Sequence, residues 1–294
     1  MNKLTDFQCK HQNGSGFSEE IIKLTGLTFP EAHNDSASLA ALALVIKKEK
    51  NLPFCMLPFC NTVEAEALGG KIEIGDVRIG PRPKEYAFSA IEDLLLIPPI
   101  DFGKGRIRKV LEACSLLKDR GEKVVLAICG PYSIISCLMD LSIFYKSWHR
   151  NPELVEKVFA FLAENLVNYC QAACDAGVDI ISYADPAGSL KILGPRYSEK
   201  TAKLFTIPFL NKAISVADKK CLIHICPKTT LVLKGLDMVE YGAISISDKI
   251  SYNEAVIMAI GKTDVIGQAC LKDNLYSINK NLITVRLKIT GIEK

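Results

Sequence analysis

The sequence predicts an α/β fold, a (β/α)8 TIM-type barrel in a single domain, and three observations carry that prediction. Short β-branched runs alternate with longer amphipathic segments, the pattern of a parallel sheet with right-handed crossovers. The units carry no dinucleotide glycine fingerprint, which favours a closed barrel over an open nucleotide-binding sheet. The chain has 294 residues, and one barrel needs about 250. Residues 1–29 are assigned to an N-terminal helical extension and 30–294 to the barrel, with a shortened or irregular last unit.

Strands are expected at Phe54–Leu57, Val124–Cys129, Val178–Tyr183, Cys221–Ile225, Ala243–Ser247 and Asp264–Gln268, each a compact apolar run bounded by polar or turn residues. Helices are expected at Asp35–Lys48, Arg106–Asp119, Pro152–Ala176, Glu199–Ala217 and Tyr252–Ile260. The third is the clearest. Asn151 can cap it, Pro152 suits its first turn, and Glu153 and Glu156 face the positive end of its dipole. Its apolar stripe runs Val155, Val158, Phe159, Leu162, Leu166, Tyr169, Ala173, and Gly177 stops it. Ile72–Ile79, broken at Gly75-Asp76, reads as a β-hairpin, and Leu282–Ile289 alternates like a strand.

Composition narrows the function classes. At 49% hydrophobic and 23% charged the chain buries a core and is not disordered. A net charge of +3 with both signs scattered gives no argument for nucleic acid or an anionic membrane. Val124–Met139, the longest stretch without charge, is shorter than the roughly 20 residues of a membrane helix. Met1–Gly16 is polar and lacks the apolar core of a signal peptide. Eleven cysteines, an odd number irregularly spaced, read as reduced and mostly buried thiols of a soluble cytoplasmic protein.

In such a barrel chemistry sits where strands end. His224 and Cys226 are two apart, so on a strand they share a face, and imidazole and thiolate both suit Zn²⁺. The competing reading is a packed strand with a hydrogen-bonded histidine. Asp185 ends the Ile180–Tyr183 run ahead of Pro186; it can contact a ligand or a metal-bound histidine, or simply cap a turn. Cys270 follows the Asp264–Gln268 run, as a ligand or as packing.

Pro30-Glu-Ala-His33, Pro58-Phe59 with Thr62-Val-Glu-Ala-Glu-Ala-Leu-Gly69, Gly130-Pro131-Tyr132-Ser133, Ala184-Asp185-Pro186 and His224-Ile-Cys226 occur in this order. Together they resemble the uroporphyrinogen decarboxylase superfamily, and within it the zinc-dependent methylcobamide:coenzyme M methyltransferases. The resemblance covers roughly residues 28–268. It implies a barrel with Zn²⁺ at its mouth, held by a His-x-Cys pair and a later cysteine. A thiol such as coenzyme M, bound to zinc as thiolate, takes the methyl group from a methylcobamide carried on a small corrinoid protein. Zinc ligation deprotonates a thiol whose pKa is otherwise near 8.5. His224 and Cys226 fall on the first two ligands. Asp248 falls where the branch tends to carry an acid near the metal, or else caps the next helix. Asp185 falls on the segment bordering the substrate pocket.

Two departures stand out. The family's last cysteine lies in a Gly-Cys-Gly-like stretch that this sequence does not contain; Cys270, the one cysteine downstream of Cys226, can replace it, and incomplete ligation, Asp248 as the third ligand, or a member that has lost zinc stay open. Pro227 stands where the branch often has glycine. Two further readings stay open: loading of methyl from a substrate onto cob(I)amide, and a catalytically inactive barrel that binds a corrinoid protein. Decarboxylation of a polycarboxylate porphyrinogen is disfavoured, because no arginine precedes Arg78 to form the cationic clamp.

Overall fold

The computed structural model describes residues 4–9, 17–272 and 274–288. Helix α1 (Glu19–Thr25) packs on α2 (Ser36–Glu49), which Asp35 caps by accepting from Ser38 N at 2.8 Å. Strand β1 (Cys55–Leu57) leads into the short α3 (Val63–Ala67), the hairpin β2 (Lys71–Glu73) and β3 (Arg82–Glu85), and α4 (Gly105–Asp119). After β4 (Val124–Cys129) come three helices, α5 (Pro131–Leu138), α6 (Leu141–Arg150) and α7 (Pro152–Asp175). β5 (Ile180–Ala184) is followed by α8 (Leu190–Thr201) and α9 (Ile207–Ala217), and β6 (Leu222–Ile225) by α10 (Pro227–Gly235). The chain continues through β7 (Val239–Ser245), β8 (Ile250–Ser251), α11 (Tyr252–Ala259), β9 (Val265–Ile266), β10 (Ser277–Ile278) and β11 (Asn281–Leu287).

The architecture is the expected α/β one. β1, β4, β5, β6 and β9 run parallel, and the main sheet has the order β1-β4-β5-β6-β9-β11-β7. Its last unit is irregular. β11 runs antiparallel between β9 and β7, so β7 stands at the far edge instead of beside β6. The reason lies in the residues. A central parallel strand is covered on both faces and reads apolar throughout, whereas β7 exposes most of its length, including Tyr241. An antiparallel ribbon with the seven-residue β11 tolerates one wet face.

The predicted hairpin forms, with its second strand later than expected. Asp76 Oδ1 accepts from Arg78 N (2.7 Å) and Ile79 N (2.9 Å), so the turn extends past the second strand's predicted start. The predicted helix Glu199–Ala217 is present but contains a π turn, Ala202–Thr206, just ahead of Pro208, which has no N–H for the helical ladder. Leu282–Ile289 is borne out as β11 through Leu287; position 289 lies outside the described residues. Helices α3, α5, α6 and α10 are not marked by the sequence pattern: each is ten residues or shorter, and α5 is buried along nearly its whole length.

Strand alternation divides the core. Val124, Leu126, Ile128, Ile181, Tyr183, Ile223 and Ile225 face the surrounding helices and join one large apolar cluster. Val125, Ile180, Leu222 and Ile266 face the other way, into a second cluster with α11 and β11. Each such side chain contributes about 1.5–3 kcal/mol on full burial. The pairings Val125↔Ile180↔Leu222 and Ala127↔Ser182↔His224↔Ile266 are successive layers of that inner face. The first is apolar; the second turns polar toward the strands' carboxyl ends. Among the described residues no helix is long and apolar enough to cross a membrane.

Candidate active site

A cavity of about 450 Å³ opens at the carboxyl ends of β4, β5, β6 and β9. Ala127, Cys129, Ser182, Asp185, His224, Cys226 and Cys270 are among its lining residues. Three of the sequence candidates for metal binding, His224, Cys226 and Cys270, thus line the same cavity as Asp185. Asp248 does not. It is exposed on the turn after β7, accepts a hydrogen bond from Ser247 Oγ (3.0 Å), and does not line this cavity. The displacement of β7 to the sheet edge carries it there.

His224 is 2% exposed. Its Nε2 lies 2.9 Å from the Ala269 carbonyl oxygen and its Nδ1 lies 3.0 Å from Ser182 Oγ. A carbonyl only accepts, so Nε2 carries the proton and Nδ1 accepts from the Ser182 hydroxyl. Burial pulls the imidazole pKa down to about 4 against the opposing pull of the Ala269 carbonyl, which leaves the ring neutral.

Cys226 is the N-cap of α10, with Pro227 preset for the first turn. Burial raises its thiol pKa, while the N–H groups of Lys228 and Thr229 at the helix start favour the thiolate. Its own N–H donates to the Tyr183 carbonyl at 2.9 Å, which ties it to β5. Cys270 sits in the loop after β9, and burial pushes its thiol up to about 11.

Asp185 is fully engaged. It accepts from Tyr132 N (3.1 Å), Ser133 N (2.8 Å) and Ser133 Oγ (2.7 Å), closing the first turn of α5. Burial raises its pKa, against these donors. The two glycines flanking it in space are sterically required. A Cβ on Gly130 would lie 2.4 Å from Asp185 Cβ, and one on Gly188 would lie 2.4 Å from Asp185 Oδ2.

Sequence reasoning missed three contributors. Ser182 is an ordinary strand residue until the register sets it beside His224. Cys9, from the N-terminal segment, also lines the cavity, and nothing local in the sequence marks it. Glu64 is 1% exposed and lies behind the wall, with Oε1 accepting from Cys129 N at 2.8 Å and Oε2 without a hydrogen-bond partner. Its neighbour Glu66 instead takes Arg106 Nε at 2.7 Å, and Arg106 also donates to Thr62 Oγ1 (2.7 Å) and Cys60 Sγ (3.1 Å). The Thr62–Gly69 run is therefore a structural brace for β4.

Imidazole with two thiols is a donor set for a thiophilic divalent cation such as Zn²⁺. Among the described residues no three such donors stand together as a closed site. To ligate through Nε2, His224 would have to leave the Ala269 carbonyl and carry its proton on Nδ1, which would then donate to Ser182 Oγ as the far nitrogen of a metal-bound histidine does. The donor chemistry fits zinc, subject to that exchange.

A family model, uroporphyrinogen decarboxylase (URO-D), matches residues 7–275. The methylcobamide:CoM methyltransferase MtaA of Methanosarcina barkeri (strain Fusaro) is 27% identical over 261 residues, covering 88% of this chain and 74% of that protein. MtbA of Methanosarcina mazei, with the same activity in its name, is 27% identical over 242 residues, 80% of this chain and 70% of its own. A methylated-thiol–coenzyme M methyltransferase of Methanosarcina mazei is 21% identical over 285 residues, covering 85% and 76%. Among solved structures, a methyltransferase from Methanosarcina mazei superposes with a TM-score of 0.62 at 25% identity, covering 80% of this chain and 68% of that one.

Proposed function

The chain belongs to the uroporphyrinogen decarboxylase family, and from that premise we propose that it is a methyltransferase moving a methyl group from a methylcobamide to a small thiol. The observation that carries the reading is the convergence of His224, Cys226 and Cys270 on one cavity at the strands' carboxyl ends. The names of the relatives support the same chemistry. In the transfer, the thiolate sulfur bonds to the methyl carbon as the cobalt–carbon bond breaks, and the electron pair of that bond leaves with cobalt as cob(I)amide.

The chain's own residues have separable tasks. The apolar layer of Val125, Ile180 and Leu222 closes the floor of the inner face. Ser182 holds His224 in one ring orientation, and burial keeps the ring neutral. The start of α10 offers N–H groups to Cys226 sulfur, so a thiolate there is met by donors. Asp185 is a positioning residue: it secures the first turn of α5, directly after the β4 residues Ile128 and Cys129 that line the cavity.

Zinc is the finer part of the proposal, with His224, Cys226 and Cys270 as its holders. When bound, it keeps the acceptor thiol ionised at neutral pH. A small corrinoid protein is the proposed donor partner, and the cytoplasm the proposed setting, where these eleven cysteines remain thiols.

The test is spectroscopic. Purified protein mixed with free methylcobalamin and mercaptoethanesulfonate is expected to convert the methylcobalamin spectrum to that of the demethylated cobalamin. The change should depend on the thiol and fall at least tenfold in Cys226→Ser. Absence of any thiol-dependent change in the wild type, under anaerobic conditions with zinc supplied, overturns the proposal.

A further inference from the structure

Residues 4–9 belong to no helix or strand and run along α10 to the cavity. Leu4 packs on the carboxyl end of α10, where a Cβ on Gly235 would lie 2.6 Å from Leu4 Cδ2. Asp6 reaches the first turn of the same helix, its Oδ2 3.9 Å from Lys228 Nζ. Phe7 meets Tyr276, ring centroids 6.0 Å apart, on the loop after β9 that also carries Cys270. Cys9 then lines the cavity. The segment is a strap from α10, whose N-cap is Cys226, to the loop of Cys270.

The strap is lightly held. Among the described residues, Leu4 to Gln8 form no backbone hydrogen bond. Both Asp6 carboxyl oxygens are buried, and neither has a hydrogen-bond donor among the described residues. A carboxylate so placed has lost water and gained one cation at long range, a poor exchange. Beneath the strap the cavity's charge is one-sided. Lys191, Lys228 and Lys272 line it against a single carboxylate, Asp185, which is already engaged by the first turn of α5.

We propose that the strap is an intramolecular competitor of the acceptor: Asp6 covers the Lys228 ammonium, which is the cavity's subsite for the anionic group of a thiol, and Cys9 takes up room in the cavity. The inference rests on reading that cavity as the acceptor-thiol site. An anionic thiol binds by displacing Asp6 from Lys228, and the strap swings off Tyr276 and α10 as it does so. The anion replaces a carboxylate that lacks donors, so the exchange favours the ligand. A neutral thiol has no such lever on the strap. Lys228 is therefore a specificity-determining residue, and Asp6 sets how much of that specificity is masked at rest.

The experiment measures binding of mercaptoethanesulfonate, and of neutral mercaptoethanol beside it, to the full-length protein by calorimetry. It is run anaerobically with zinc supplied and no methyl donor. Asp6→Asn should bind mercaptoethanesulfonate several-fold tighter than wild type, because the competing charge is gone. In the Asp6→Asn background, Lys228→Gln should weaken it roughly tenfold, the scale of one charge-assisted hydrogen bond, and leave mercaptoethanol unchanged. On the wild type, saturating mercaptoethanesulfonate should speed chymotryptic release of Met1–Phe7, a cut that needs Phe7 off Tyr276, more than mercaptoethanol at the same concentration. Equal mercaptoethanesulfonate affinity in wild type and Asp6→Asn, binding in neither, or an unchanged cleavage rate overturns the proposal. No readout involves methyl transfer, so thiol binding without turnover would count against the methyltransferase reading and leave the strap standing.

Discussion

Glu64 shows how far one buried carboxyl reaches. Burial raises its pKa against the Cys129 N–H and the charge of Arg106. The folded state therefore keeps its proton at pH values where the unfolded chain, near 4.3, has lost it. With the folded state binding more protons, stability falls as pH rises from about 4.3 toward the folded value. Glu64→Gln keeps the acceptor for Cys129 N and removes the ionisation. In denaturant titrations from pH 4 to 8, the stability of the wild type relative to the variant should decline across that window. Equal slopes would contradict the buried, proton-bearing Glu64. The sequence shows two acids two residues apart on a short helix, a spacing that sends them to different sides. Only the packing says that Glu64 goes inward and Glu66 to Arg106.

At the scale of elements, Asp179 is the knot at the amino-terminal end of the sheet. It is 5% exposed, accepts from Val124 N at 3.0 Å, and pairs with Lys118 and Lys123 at 2.9 Å each. Burial alone would raise its pKa, but Lys118, the Val124 N–H and Lys123 outweigh it and hold the carboxyl below the usual range. The sign is opposite to that of Glu64. The stabilisation is complete above the unfolded value of about 3.9 and is lost as pH falls through the lower folded value. Asp179→Asn should cost about 2 kcal/mol at pH 7, the scale of charge-assisted hydrogen bonds, and the deficit should shrink on acidification. A pH-independent deficit would point to packing instead. The parallel strands were legible because their apolar runs are sharply bounded. The π turn before Pro208, the late second strand of the hairpin and the edge position of β7 were not, since each depends on which neighbour supplies hydrogen bonds.

For the whole molecule, the proposed zinc site makes stability depend on metal. A ligand that binds the folded state alone stabilises it by about 2.7 kcal/mol at a hundred times its Kd. Added zinc should raise the thermal midpoint of the wild type, and chelation should return it. In Cys226→Ser, where one donor of the set is gone, the rise should be small or absent; an equal rise in both would place zinc elsewhere. The sequence by itself determined the α/β class, the main parallel strands and the candidate status of His224, Cys226, Cys270 and Asp185, because periodicity, strand ends and motif order are local properties of a chain. Tertiary structure decided which candidates meet. Register placed Ser182 and the Ala269 carbonyl on the two nitrogens of His224, and Asp185 went to the first turn of α5. The removal of β7 to the sheet edge carried Asp248 away from the cavity. Those outcomes turn on distances between residues far apart in the chain, which spacing along it does not encode.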